Sequence, residues 1–169
     1  RTNESVARTL EFALSDYCIA QMAKALGKTA DYEDLMRRAK NYRYLYNPKT
    51  KLFQARNADG SWAGEHSGFT EGANWTYQFC VMQDVQGLID LMGGNESFAA
   101  ALDNVFDNGH YRHDNEPGHH YVYLYNYCGR FDKAQERIPE ILDTHYRNGA
   151  DGLSGNDDCG QMSSWYLFS

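Results

Sequence analysis

The chain has 169 residues, 42% hydrophobic and 23% charged, ordinary globular usage that excludes a disordered, collagenous or coiled-coil protein. Sixteen Lys and Arg against 23 Asp and Glu leave a formal charge of −7, an acidic surface that repels phosphate backbones and argues against a nucleic-acid partner. No apolar run approaches about 18 residues, so no segment reads as membrane-spanning.

Apolar residues at helical spacing predict a first helix over Ser5–Leu26, with Asn3 or Ser5 as its cap and Gly27 as its stop. A second helix is predicted from about Asp31 to Tyr46, ended by Asn47-Pro48. Residues 48–66 read as a long loop with a short hairpin at Lys51–Gln54 and Ser61–Ala63. A third helix follows from near Glu71 to Met92, stopped by Gly93-Gly94, and a fourth from Ser97 to Phe106. Asp107 to Asn115 is a polar loop, and Pro117 opens a fifth helix that closes at Gly129. A sixth runs from Phe131 to Arg147, a Gly-rich loop covers 148–158, and a seventh starts near Gly160. The final Ser164–Ser169 stretch reads as an apolar helix without a stop signal, and Arg1 stands where a start Met would be, so the chain is expected to be a piece of a longer protein.

The fold class expected is therefore all-α, built of helical hairpins. Glu71, Glu116 and Asp158 each stand just before a predicted helix, 45 and 42 residues apart. That spacing is one helical hairpin, so the three carboxylates are expected on one rim of a repeat array. Tyr, Phe and Trp make up 14% of the chain and concentrate in the helices behind those carboxylates. An aromatic floor under an acidic rim suits sugars, whose C–H faces stack on rings while their hydroxyls meet polar groups. The four cysteines show no C-x-x-C spacing, so a zinc ribbon is not expected.

Each acidic loop can be read as a helix cap or as a site of chemistry. In Gly68-Phe-Thr-Glu-Gly-Ala-Asn-Trp75, Thr70 or Glu71 caps the following helix, or Glu71 is a general acid with Trp75 as a stacking platform. In His110-Tyr-Arg-His-Asp-Asn-Glu-Pro-Gly-His-His120, Asn115 or Glu116 caps the Pro117 helix, or the oxygen donors hold a hard cation such as calcium. In Gly155-Asn-Asp-Asp-Cys-Gly-Gln-Met-Ser163, the paired carboxylates cap a helix, bind an ion or activate water. Carboxylates facing each other across an aromatic cleft are what glycoside hydrolysis requires.

The same motifs, with Gln83-Asp-Val-Gln-Gly-Leu-Ile-Asp-Leu-Met-Gly-Gly94, Tyr123-Leu-Tyr-Asn-Tyr127 and the opening Tyr17-Cys-Ile-Ala-Gln-Met-Ala-Lys-Ala-Leu-Gly27, resemble glycoside hydrolase family 92, calcium-dependent exo-acting α-mannosidases. The resemblance spans the whole chain. It implies an arc of an (α/α)6 barrel, residues 1–169 forming the later part of the catalytic domain, with the early barrel helices and a preceding β-sandwich domain lying outside this chain. It also implies inversion, with Glu71 as general acid, Asp158 as general base, and calcium held near Asn115 and Glu116. Trp75, Asn156, Asp157 and His119 are the expected substrate contacts, Asn156 standing where some members carry an acid. The implied partner is a mannose-terminated glycan, and the implied location secreted, periplasmic or cell-surface in a bacterium. The alternatives are another α/α-barrel glycosidase and a sugar-binding helical scaffold without turnover.

Overall fold

The computed structural model describes residues 3–169, which fall into two compact units divided between Leu91 and Met92. The first unit opens with α1 (Ser5–Ala25) and α2 (Thr29–Arg38), which pack as a hairpin. Val6, Leu10, Ala13, Ala20 and Ala23 of α1 are buried. Gly27, at φ 68°, closes α1 as a Schellman turn: its N–H bonds the Lys24 carbonyl, and the Lys28 N–H bonds that of Ala23. The expected side-chain cap at Asn3 or Ser5 is replaced by a tertiary one. The Gly68 carbonyl accepts from the N–H groups of Val6 (2.8 Å) and Ala7 (3.1 Å). A second stripe of α1, formed by Phe12, Ile19, Met22 and Leu26, stays exposed, so this helix is apolar on two faces.

The second predicted helix ends early. After α2 the chain tightens into a 3-10 turn over Asn41–Leu45, because Ala39, Tyr42 and Leu45 are buried at three-residue intervals, the period of that geometry. Tyr46–Asn47 (β1) then pairs antiparallel with Leu52–Phe53 (β2), and Arg56 bridges to Trp62. The expected hairpin thus exists, but its first strand pairs backward onto Tyr46. The third predicted helix is broken into α3 (Asn74–Tyr77), a 3-10 turn at Met82–Asp84, and α4 (Val85–Met92). Tyr77, Gln78, Phe79 and Val81 are all buried, and one helical face cannot bury four such closely spaced side chains.

The second unit holds α5 (Asn95–Asp107), α6 (Phe131–His145) and α7 (Gln161–Phe168). The expected Pro117 helix forms instead as 3-10 turns at Glu116–Gly118 and Tyr121–Cys128. Both α5 and α6 pack on the Tyr121–Cys128 segment. Val122, Ile141 and Trp165 centre one cluster of its core. Arg137 is tied to Asp103 and Asp107, and Lys133 to Asp103, which fastens α6 to α5. No described helix is long and apolar enough to cross a membrane.

Candidate active site

In the first unit, the Glu71 loop is fixed from both ends. Gly68 sits at φ 97°, and a Cβ there would lie 3.0 Å from the Ala55 methyl and 3.1 Å from Val6; only glycine lets the loop lie this close while bonding α1. Downstream, Gly72 lies against the Thr76 hydroxyl, and that hydroxyl accepts from the Ala73 N–H (3.3 Å). Thr76 thereby serves the start of α3. The Tyr77 hydroxyl is hydrogen-bonded to the backbone of Glu71 and the Thr70 side chain, and burial raises its pKa. The buried Asn74 donates to Glu65 (3.2 Å) and accepts from the Trp75 N–H (3.0 Å). Glu71 is exposed and Trp75 half-buried one turn further on.

In the second unit, two predicted loops are brought into contact. A Cβ on Gly155 would fall 2.3 Å from the Asp114 carbonyl oxygen and 2.7 Å from its Cα, so the chain before Asp158 presses directly on the chain before Glu116. Asp114 is gripped by Arg112 through two bonds (2.8 and 2.5 Å), which hold its carboxyl below the usual range. Asn115 is the cap of the following turn, its side-chain oxygen accepting from the Glu116 N–H (3.1 Å). Asp157 accepts from the N–H (3.0 Å) and hydroxyl (2.7 Å) of Ser163, which lower its pKa. It thereby serves the first turn of α7, while Asn156 and Asp158 remain exposed. The turn at Asp158–Gly160 is sharp, with Cys159 at φ 53° and Gly160 at φ 74°.

Below these loops lies a histidine cluster. Tyr146 has one hydroxyl hydrogen, which it donates to the Met162 carbonyl (3.0 Å). It must therefore accept from His113 Nε2 (2.7 Å), leaving Nδ1 to accept from the Tyr111 hydroxyl (2.8 Å). His113 is 1% exposed. Burial, reinforced by His119 and His145, pushes its pKa down to about 3, so it is neutral. His119 is also buried: Nε2 donates to the His113 carbonyl (2.9 Å), and Nδ1 has no partner. The His119 carbonyl accepts from Trp165 Nε1 (2.9 Å).

Among the described residues no three His, Cys, Asp or Glu side chains group as a metal cluster. Asn115 and Glu116 offer hard oxygen donors, which fit calcium better than zinc. As two side chains they supply part of the roughly six to eight oxygens calcium takes, backbone and water completing the set. Sequence reasoning found the acidic residues but missed His113, Tyr146 and Tyr77. The Tyr111-Arg-His113 alternation was the available signal, since an extended segment points both rings to one side.

Residues 1–169 match the family described as the glycosyl hydrolase family 92 catalytic domain. The fold is similar to that of the GH92 α-mannosidase BT3965 from Bacteroides thetaiotaomicron, at 46% identity and TM-score 0.91, covering 98% of this chain and 24% of that one. The same enzyme in complex with mannoimidazole aligns at 43% identity and TM-score 0.89, over 99% and 26%. The GH92 inverting mannosidase BT2199 from the same bacterium aligns at 34% identity and TM-score 0.88, over 99% and 27%. An uncharacterized secreted glycosidase of Arthroderma benhamiae is 29% identical, over 99% of this chain and 25% of its own length. The chain thus spans about a quarter of each relative. Its helical hairpins are an incomplete part of the α/α barrel of these enzymes.

Proposed function

Since the chain belongs to glycosyl hydrolase family 92, we propose that the protein carrying it is a secreted, inverting, calcium-dependent exo-α-mannosidase that releases mannose from glycans. The carrying observation is 46% identity across nearly the whole chain to an α-mannosidase, one that also forms a complex with mannoimidazole. In this reading Glu71 protonates the leaving oxygen, and Asp158 takes a proton from the water attacking the opposite face. Inversion needs the two carboxyl groups roughly 6.5–9.5 Å apart. Trp75 stacks on the sugar, and Asn156 orients the water. Asp157 and His119, whose side chains are engaged with Ser163 and the His113 carbonyl, support the loops that meet the sugar. Asn115 and Glu116 are the donors for calcium, whose charge supplies a grip on neighbouring sugar hydroxyls. The remainder of a barrel and a β-sandwich domain are the partners that membership of the family implies, and the exposed apolar stripe of α1 supports a packing neighbour on that helix.

The test uses the full-length protein and p-nitrophenyl α-mannoside, with the glucoside and galactoside as controls. Glu71→Gln should cost about 10²–10⁴-fold in kcat, the scale of a lost proton donor. Chelation should abolish turnover, and Glu116→Ala should weaken calcium binding in titration calorimetry. Preference for the glucoside, or full activity of Glu71→Gln, would sink the reading.

A further inference from the structure

A buried imidazole with both nitrogens engaged is not needed to fill space, since a phenylalanine would occupy the same volume without polar groups to satisfy. His113 instead sits at a junction. Its backbone leads directly into Asp114, Asn115 and Glu116. Its Nε2 reaches α7 through the Tyr146 hydroxyl and the Met162 carbonyl, and Met162 lies four residues after Asp158. A second path runs from the His113 carbonyl to His119 Nε2, and from the His119 carbonyl to Trp165 Nε1. Trp165 is on α7 as well, and its ring lies edge-on to His113 at 4.5 Å between centroids. The two acidic loops therefore touch above at Gly155 and Asp114 and are joined below through His113 and the two paths that leave it.

Hydrogen bonds, unlike apolar contacts, have direction, so this junction fixes one register between the loop and the helix. We propose that His113, acting through Tyr146, is a positioning residue that holds the Asn115–Glu116 oxygens and the Asp158 carboxylate in productive alignment. The inference rests on the reading of Asp158 as the base given above. His113 donates no proton to substrate; it keeps two reacting elements from sliding past each other. A misplacement of about 1 Å in such a site costs on the order of 100-fold in rate.

The experiment compares Tyr146→Phe, His113→Phe and His113→Gln in the full-length enzyme with an aryl α-mannoside. Tyr146→Phe removes one hydroxyl and leaves the ring stacked on Trp165, whose plane lies 6° from its own. The expected result is a kcat lower by about 10- to 100-fold with KM changed less than about threefold. His113→Gln keeps a neutral donor and acceptor, and should recover at least about tenfold of the His113→Phe loss. The double variant Tyr146→Phe/His113→Phe should be no slower than His113→Phe alone, because both cut the same connection. Unchanged kcat in an active background overturns the inference. So does a loss that merely follows the folded fraction measured by near-UV circular dichroism, or equal kcat for the Gln and Phe variants. A wild-type enzyme inert toward α-mannosides refutes the parent reading, and this inference with it.

Discussion

Gly155→Ala is the smallest change that tests whether the two acidic loops must touch. The added methyl carbon would lie 2.3 Å from the Asp114 carbonyl oxygen and 2.8 Å from the carbonyl carbon. A methyl against a carbonyl oxygen needs about 3.3 Å, so one loop must retreat by about 1 Å. The obstacle is backbone, which cannot rotate aside as a side chain does. Overpacking of this kind typically costs about 1–3 kcal/mol, and a displacement of about 1 Å at a reacting centre costs on the order of 100-fold in rate. Gly149→Ala is the control in the same loop, because its methyl would meet only the exposed Asp151 carboxylate at 3.1 Å. Both variants would be assayed in the full-length enzyme by steady-state kinetics and thermal melting. The expected pattern is a lower Tm and a large kcat loss for Gly155→Ala, with Gly149→Ala near wild type. Wild-type kcat in Gly155→Ala would show that the contact does not align the site.

Two further outcomes follow from other parts of the molecule. Tyr77→Phe removes the hydroxyl bonded to the Glu71 backbone and Thr70, and should lower kcat by about tenfold with a smaller effect on KM, read by the same kinetics. Burial pushes the Asp103 carboxyl up, but the bonds from Lys133, Tyr125 and Arg137 outweigh it and hold its pKa below 3.8. Its contribution is thus complete above the unfolded value and lost as pH falls through the folded one. Melting curves of wild type and Asp103→Asn should differ most near neutrality and converge in acid; a gap that widens on acidification would contradict the sign.

The longest helices were legible in the sequence. α1, α5 and α6 fall within two residues of their expected bounds, because their periodicity, and for α1 the Gly27 stop, act locally. The misread segments are those buried on more than one side. Residues 77–81 and 118–125 carry closely spaced buried side chains, which a helical wheel scores as strong helix but which the fold breaks into short turns. Of the candidate site, the acidic residues could be found because they stand in turn sequences at hairpin spacing. The His113–Tyr146 connection could not. It joins residues 33 apart, and nothing in either local sequence names the other.

Neighbouring polar residues in the Asp157-Asp158 pair divide their tasks, and the division can be tested directly. Asp157 spends both carboxylate oxygens on Ser163, at the point where α7 has unsatisfied N–H groups. Asp158, one residue earlier than the left-handed Cys159, is carried out to the exposed side of the turn. The helix therefore needs the first carboxylate, and a reaction at this rim has the second at its disposal. A residue kept for chemistry is commonly neutral or costly for stability, whereas a helix cap is stabilising. The variants should cross: Asp157→Ala should lower Tm while kcat falls modestly, and Asp158→Asn should keep or raise Tm while kcat falls by about 10²–10⁴-fold. Melting and single-turnover hydrolysis of an aryl α-mannoside on the same preparations give both readings. If Asp158→Asn instead destabilises the protein and Asp157→Ala abolishes turnover without lowering Tm, the roles are reversed and the base is Asp157.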